Sequence, residues 1–200
     1  MARPNSRTRV NDAHSASAEP IRRLQENLVY KNRFAAIYDD VVAFPDGTHG
    51  NYLRIVESQG KQGVAILPVC EDQIALVRVY RYPLGSWEWG IPRGFAHGTD
   101  PEKSARNELE EELGQGPDRL LPMGNLTPNS GLLASSVKLF LAQYAAAVSQ
   151  PVDRQEVAEV RWVSTRVLRD EIAHGQIKDA FTLSALVCAK VRGHITSMAL

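Results

Sequence analysis

The sequence predicts a mixed α+β fold. Three observations carry that expectation: alternating apolar and polar runs lie on both sides of one sharply bounded helical stretch, two more helical stretches close the chain, and no repeat or low-complexity tract interrupts it. Strands that flank one helix, rather than alternating with helices, argue against a strictly parallel sheet. The 200 residues, 44% hydrophobic and 23% charged, suffice for one domain with a sizeable core and exclude wholesale disorder. Lys plus Arg (23) balances Asp plus Glu (23), so no global field gathers nucleic acid or an anionic membrane. An anionic ligand must be held locally.

The elements follow in order. Residues 1–20 read as a polar, flexible arm, with Arg3, Arg7 and Arg9 among serines and threonines. From Ile21 to residue 60 the alternation predicts at least two antiparallel strands around the turn-forming Pro45-Asp46-Gly47, an N-terminal β extension. Gly63 to Leu67 and Ile74 to Tyr82 are β-branched and aromatic runs separated by Glu71-Asp72, a hairpin pattern. A helix follows, with Asp100 as its cap, Pro101 in its first turn, Glu102 at its positive end and Gly114 to close it. Ser136 to Tyr144 and Val157 to Val163 read as strands joined by a polar connector at 149–156, a length often given to function. Thr165 to His174 and Asp179 to Val191 read as helices around Gly175. Cys70 and Cys188 sit in apolar runs and are expected to be buried free thiols in a reducing cytoplasm. No apolar run approaches the ~20 residues of a membrane helix, and the N-terminus lacks the apolar centre of a secretory signal.

The chemistry concentrates at 108–112, Glu-Leu-Glu-Glu-Glu. At helical spacing Glu108, Glu111 and Glu112 fall within about a third of the circumference, with Ala105, Leu109 and Leu113 on the adjoining apolar flank. A charge run is ordinarily a solvated face. Against that reading, like charges at i,i+3 and i,i+4 repel, and only Lys103 and Arg106 lie near enough to compensate. A divalent cation would relieve the repulsion, and an all-oxygen ligand set selects Mg²⁺ or Mn²⁺ over zinc.

The stretch from Gly94 to Gly114, GFAHGTDPEKSARNELEEELG, resembles the box of the Nudix hydrolases, G-x5-E-x7-R-E-U-x-E-E-x-G-U with U apolar. Glu108, Leu109, Glu111, Glu112 and Gly114 match. Gly94 precedes Glu108 by 14 positions instead of 15, Thr99 or Asp100 stands where the first Glu belongs, Asn107 replaces the Arg that orients a metal-binding Glu, and Gln115 replaces the last apolar residue. Further blocks, Ala75 to Pro83, Ile91 to Gly94, Leu126 to Gly131, Lys138 to Ala142 and Gly175 to Ala180, are similar to ADP-ribose pyrophosphatases and related nucleoside diphosphate sugar hydrolases.

The resemblance implies a Nudix fold: a mixed β-sheet sandwiched between α-helices over residues 61–200, with a small N-terminal antiparallel sheet over 21–60 that forms a homodimer and helps hold the nucleotide. It implies Mg²⁺ or Mn²⁺ held by Glu108, Glu111, Glu112 and Gly94, and hydrolysis of a pyrophosphate bond, foremost that of ADP-ribose, to AMP and ribose 5-phosphate. Glu156, with Asp153 second, is the expected general base, against the alternative of an exposed loop acid. Arg81 is expected on substrate phosphate, and Arg93 could join it, although alanine is common at that place in ADP-ribose hydrolases. Phe34, Tyr30, Trp87 and Trp89 are candidate stacking surfaces or packing residues, and His97 a loop histidine with a possible proton-transfer role. Two alternatives stay open: a hydrolase of another nucleoside-diphosphate compound such as a dinucleotide, and a non-hydrolytic module that senses a nucleotide. Neither nucleic acid nor membrane is an expected partner.

Overall fold

The computed structural model describes residues 19–95, 98–147 and 156–195. The first four strands, β1 (Arg22–Gln25), β2 (Leu28–Lys31), β3 (Ala35–Ala43) and β4 (His49–Glu57), form an antiparallel sheet. β3 and β4 pair along their whole length, from Ala35 opposite Glu57 to Ala43 opposite His49. Their turn is the one the Pro-Asp-Gly sequence predicts: Gly47 takes a φ of +82° and Asp46 accepts from the Thr48 backbone N–H. β1 and β2 share the other edge of β3. Between them the chain bends around Asp40, only 4% exposed, which accepts from the Asn27 N–H and from Arg54. A buried carboxylate is tolerable when it is paired and hydrogen-bonded in this way.

The larger sheet has seven strands: β5 (Gly63–Cys70), β6 (Gln73–Arg81), β7 (Ser86–Gly90), β8 (Arg93–Phe95), β9 (Arg119–Leu126), β10 (Val137–Gln143) and β11 (Val157–Ser164). The order β11-β6-β5-β10-β9 is mixed, because β5 and β10 run parallel while their other pairings are antiparallel. Three helices pack on it: α1 (Pro101–Leu113), α2 (Thr165–Ala173) and α3 (Ala180–Val191). Strand alternation assigns the two faces. Val64, Ile66, Ala75 and Val77 share a core cluster with Ala105, Leu109 and Leu113 of α1. Ala65, Leu67, Ile74 and Leu76 share another with Leu168 of α2 and with Ala185, Leu186 and Ala189 of α3. The sheet is thus sandwiched between α1 and the α2/α3 pair, as expected.

The β5–β6 hairpin turns at Glu71, whose φ is +51°, but pairs only at Val69 with Ile74 and Cys70 with Gln73. Beyond that the strands part. β8 takes up the edge of β5 at Gly63 to Ala65, and β7 takes up β6 from Val77 to Arg81. This parting opens the sheet beside Glu108 and Glu111 of α1. The smaller sheet is stitched alongside by Ile55 N–H to the Leu132 carbonyl (2.9 Å), Ala134 N–H to the Ile55 carbonyl (2.8 Å) and the Ser135 hydroxyl to Glu57 (3.0 Å).

Sequence reasoning missed three strands. Ile91 to Gly94 reads as a turn, yet Arg93 and Gly94 belong to β8. β7 is hidden by its glycine-bounded, aromatic Ser-Trp-Glu-Trp-Gly, and β9 by Pro122 and Gly124. β9 tolerates the proline because it lies at an edge of the sheet, and its register with β10 shifts beside Gly124, whose φ is +117°. Cys70 is buried and free as expected, whereas Cys188 is free but half-buried on α3. Among the described residues, no helix is long and apolar enough to cross a membrane.

Candidate active site

The residues that position this site begin with the cap of α1. Asp100 accepts from the backbone N–H groups of Glu102 and Lys103, and Gly114 closes the helix in a left-handed conformation with φ +81°. With both ends set and Leu109 and Leu113 locked against the sheet, the carboxylate edge has no rotational freedom left. That edge is not a solvated face. Glu108 and Glu112 are each only 8% exposed, while Glu111 and Glu110 remain in solvent.

The backbone of β8 makes room for the first of these carboxylates. Gly94 lies directly against the Glu108 carboxylate, in space that any side chain at position 94 would fill. Glu112 is buried, and its Oε2 has no hydrogen-bond partner. Burial, reinforced by Glu111 and Glu156, pushes the Glu108 carboxyl up to about 7. Burial and then Glu108 push Glu112 up to about 8, against the opposing pull of Arg81 and of the Arg93 N–H. Two poorly solvated, mutually repelling carboxylates are stabilised when a cation arrives.

A cleft of about 660 Å³ opens beside them, at the parting of β5 and β6. Seven of the residues singled out from sequence line it: Phe34, Arg81, Arg93, Gly94, Glu108, Glu111 and Glu156. Glu112 lies behind them, buried. The lining thus gathers residues of the smaller sheet, β6, β8, α1 and the approach to β11, separated by more than a hundred positions in the chain.

Two arginines line the cleft. Arg81 is 3.9 Å from Glu88, beyond hydrogen-bond reach, and Arg93 is 3.4 Å from Asp179, with its guanidinium 4.2 Å from the centre of the Phe181 ring. The Nε of each is buried without a hydrogen-bond partner. Burial pulls the Arg93 guanidinium below its ordinary value, against the opposing pull of Asp179. Guanidinium groups at the wall of a cleft suit phosphate oxygens.

The donor set fits Mg²⁺ or Mn²⁺. Its ligand atoms are carboxylate oxygens, one of them is unpartnered, and Gly94 leaves the room their approach requires. Among the described residues no three His, Cys, Asp or Glu side chains form a ready ligand set. Mg²⁺ commonly takes one or two carboxylates and completes its shell with water and substrate phosphate.

Other sequence candidates lie elsewhere. Trp87 stacks edge-on with Tyr80 beneath Arg78, Trp89 packs against Arg161, and Tyr30 is exposed on β2. Arg106 turns back along α1 to Glu102 at 3.1 Å, so it does not stand in for the motif arginine missing at Asn107. His97, Asp153 and most of the 149–156 connector lie outside the described residues. Sequence reasoning missed Glu88, Asp179 and Phe181. Asp179 did carry a signal, as the start of a helix; its contact with Arg93 is a matter of tertiary structure.

The sequence model of the NUDIX domain matches residues 60–182. A CMP-5'-(N-acetyl-N-hydroxy-3-aminopropyl)phosphonate hydrolase of Streptomyces rubellomurinus is 28% identical over 143 residues, 69% of this chain and 66% of that protein. The ADP compounds hydrolase NudE of Escherichia coli is 26% identical over 82% of this chain and 88% of its own length. An ADP-ribose pyrophosphatase of Bacillus subtilis is 27% identical over 79% and 86%. The fold is similar to that in a crystal structure of an ADP compounds hydrolase, with a TM-score of 0.76 at 23% identity, covering 90% of this chain and 98% of that one.

Proposed function

The chain belongs to the NUDIX domain family, and from that premise we propose that it is a metal-dependent pyrophosphohydrolase of nucleoside diphosphate sugars, acting foremost on ADP-ribose to give AMP and ribose 5-phosphate. The observation that carries this reading is the pairing of two buried carboxylates, Glu108 and Glu112, with two arginines, Arg81 and Arg93, that line the adjoining cleft.

In this reading Glu108, Glu111 and Glu112 hold Mg²⁺ or Mn²⁺, with the Gly94 backbone beside Glu108. When bound, the metal polarises the pyrophosphate and lowers the pKa of the attacking water. Arg81 and Arg93 bind phosphate oxygens through charge-assisted hydrogen bonds and offset the charge that develops on the leaving phosphate. Glu156 lines the cleft and is exposed, so it can take a proton from water and release it to solvent. Phe34, on the wall formed by the smaller sheet, offers a ring to the base or sugar.

Arg93 also favours a second substrate, another nucleoside-diphosphate compound with more negative charge than ADP-ribose. The relatives' names, which span ADP compounds and a CMP-linked phosphonate, support that breadth. The smaller sheet exposes Leu28, Val29, Tyr30 and Leu53, a surface that supports pairing with a second copy. Free thiols at Cys70 and Cys188 support a reducing cytoplasm.

The test is incubation with ADP-ribose, nucleotide sugars and dinucleotides, with and without Mg²⁺ or Mn²⁺, beside a Glu112→Gln control, with products separated by chromatography. Metal-dependent AMP and ribose 5-phosphate that vanish in the control are expected. Binding without cleavage of any compound would overturn the hydrolase reading in favour of a nucleotide-sensing module.

A further inference from the structure

Behind the cleft wall formed by Arg93 and Phe181, one side chain ties β7, β8 and α3 together. Asp179 is 5% exposed and divides its carboxylate between two tasks. Oδ2 caps α3, accepting from the Thr182 N–H at 2.9 Å and the Thr182 hydroxyl at 2.7 Å. That hydroxyl in turn accepts from the Ile91 N–H at 3.0 Å, which ties the chain between β7 and β8 to the helix. Gly90 packs so closely on the carboxylate that an added Cβ would stand 3.1 Å from it. Oδ1 faces the Arg93 guanidinium at 3.4 Å, and Phe181, two residues further on, lies under the same guanidinium at 4.2 Å.

The helix cap therefore uses one oxygen and leaves the other for Arg93. A free arginine side chain samples many rotamers and loses that entropy on binding. A guanidinium already held edge-on by a fixed carboxylate and face-on by a ring has lost part of it beforehand, and the Arg93 side chain lines the cleft where a ligand would sit.

We infer that Asp179 is a positioning residue for substrate binding: with Phe181 it holds the Arg93 guanidinium at the wall of the cleft, ready for an anionic group of the substrate. This rests on the phosphate-binding reading of Arg93. Electrostatics alone predicts the opposite behaviour, since removing a negative charge beside the cleft should tighten anion binding. The two accounts thus differ in sign.

The experiment measures ADP binding by titration calorimetry, which needs no turnover, for wild type, Asp179→Asn, Phe181→Leu, Arg93→Ala and the double variant Arg93→Ala/Asp179→Asn. Asparagine caps a helix about as well as aspartate, so melting temperature should hold. Asp179→Asn and Phe181→Leu are each expected to weaken ADP by about fivefold to tenfold, a typical worth of an ordered charge-assisted contact. In the Arg93→Ala background, Asp179→Asn should weaken it no further. Where turnover is measurable, KM should rise more than kcat falls. Unchanged or tighter ADP binding in Asp179→Asn would overturn the inference, as would an equal loss in both backgrounds. If Asp179→Asn does not fold, Phe181→Leu with Arg93→Ala decides by the same comparison. ADP that binds wild type and Arg93→Ala alike would instead refute the phosphate-binding reading of Arg93.

Discussion

Replacing Gly94 with alanine would put a methyl group where the Glu108 carboxylate now lies. Gly94 is not among the glycines with positive φ, so alanine can adopt the backbone, and the whole effect falls on the carboxylate. Carbon and oxygen atoms in ordinary contact stand roughly 3.5 Å apart, and reaching that separation requires the carboxylate to retreat by about 1 Å or more. Glu108 is flexible at its far end, so an off-rotamer swing costs stability only about 1 kcal/mol, a shift of roughly 2–4 °C in melting temperature for a chain of this size. Catalysis is less forgiving, because a misplacement of about 1 Å can cost on the order of 100-fold in rate. The assay is metal-dependent ADP-ribose hydrolysis beside a thermal melt. Near-normal melting with a loss of about 100-fold in kcat/KM is expected. Activity within about threefold of wild type would refute the claim that this contact sets the carboxylate for catalysis.

Three further outcomes are expected. Glu108 and Glu112 have folded-state values of about 7 and about 8, above the ordinary 4.5, because burial disfavours their charged forms. The native state therefore binds more protons than the unfolded one between pH 4.5 and 8, and the melting temperature of metal-free protein should fall as pH rises through that window. Glu112→Gln should flatten the fall, and Mg²⁺ should raise the melting temperature more at pH 8.5 than at pH 5.5, because at low pH it must displace protons. Glu156→Gln should lower kcat by about 10²- to 10⁴-fold, as loss of a general base does, with Mg²⁺ stabilisation of the fold unchanged; an unchanged kcat would remove Glu156 from the mechanism. Asp100→Ala should cost about 1 kcal/mol, the usual worth of an N-cap, read by chemical denaturation.

How much was legible follows the range of the forces involved. α1 was readable in full because cap, first-turn proline and closing glycine act within a few residues, and the three glutamates followed from its 3.6-residue period. The β5–β6 hairpin and the β3–β4 turn were local for the same reason. β7, β8 and β9 escaped, because short strands with glycine, proline or tryptophan are stabilised by partners distant in sequence. Residue type and spacing alone determined a carboxylate edge fit for a hard cation and, through resemblance, seven residues that now line one cleft. Tertiary structure decided what those side chains experience. Burial, which depends on the whole fold, turned an acidic edge into two carboxyls with raised pKa. Asp179 came to Arg93 from the far end of the chain only because α3 packs on the face of the sheet opposite α1. Sequence spacing carries no information about such an approach, since packing of distant elements, not local backbone geometry, brings the two charges together.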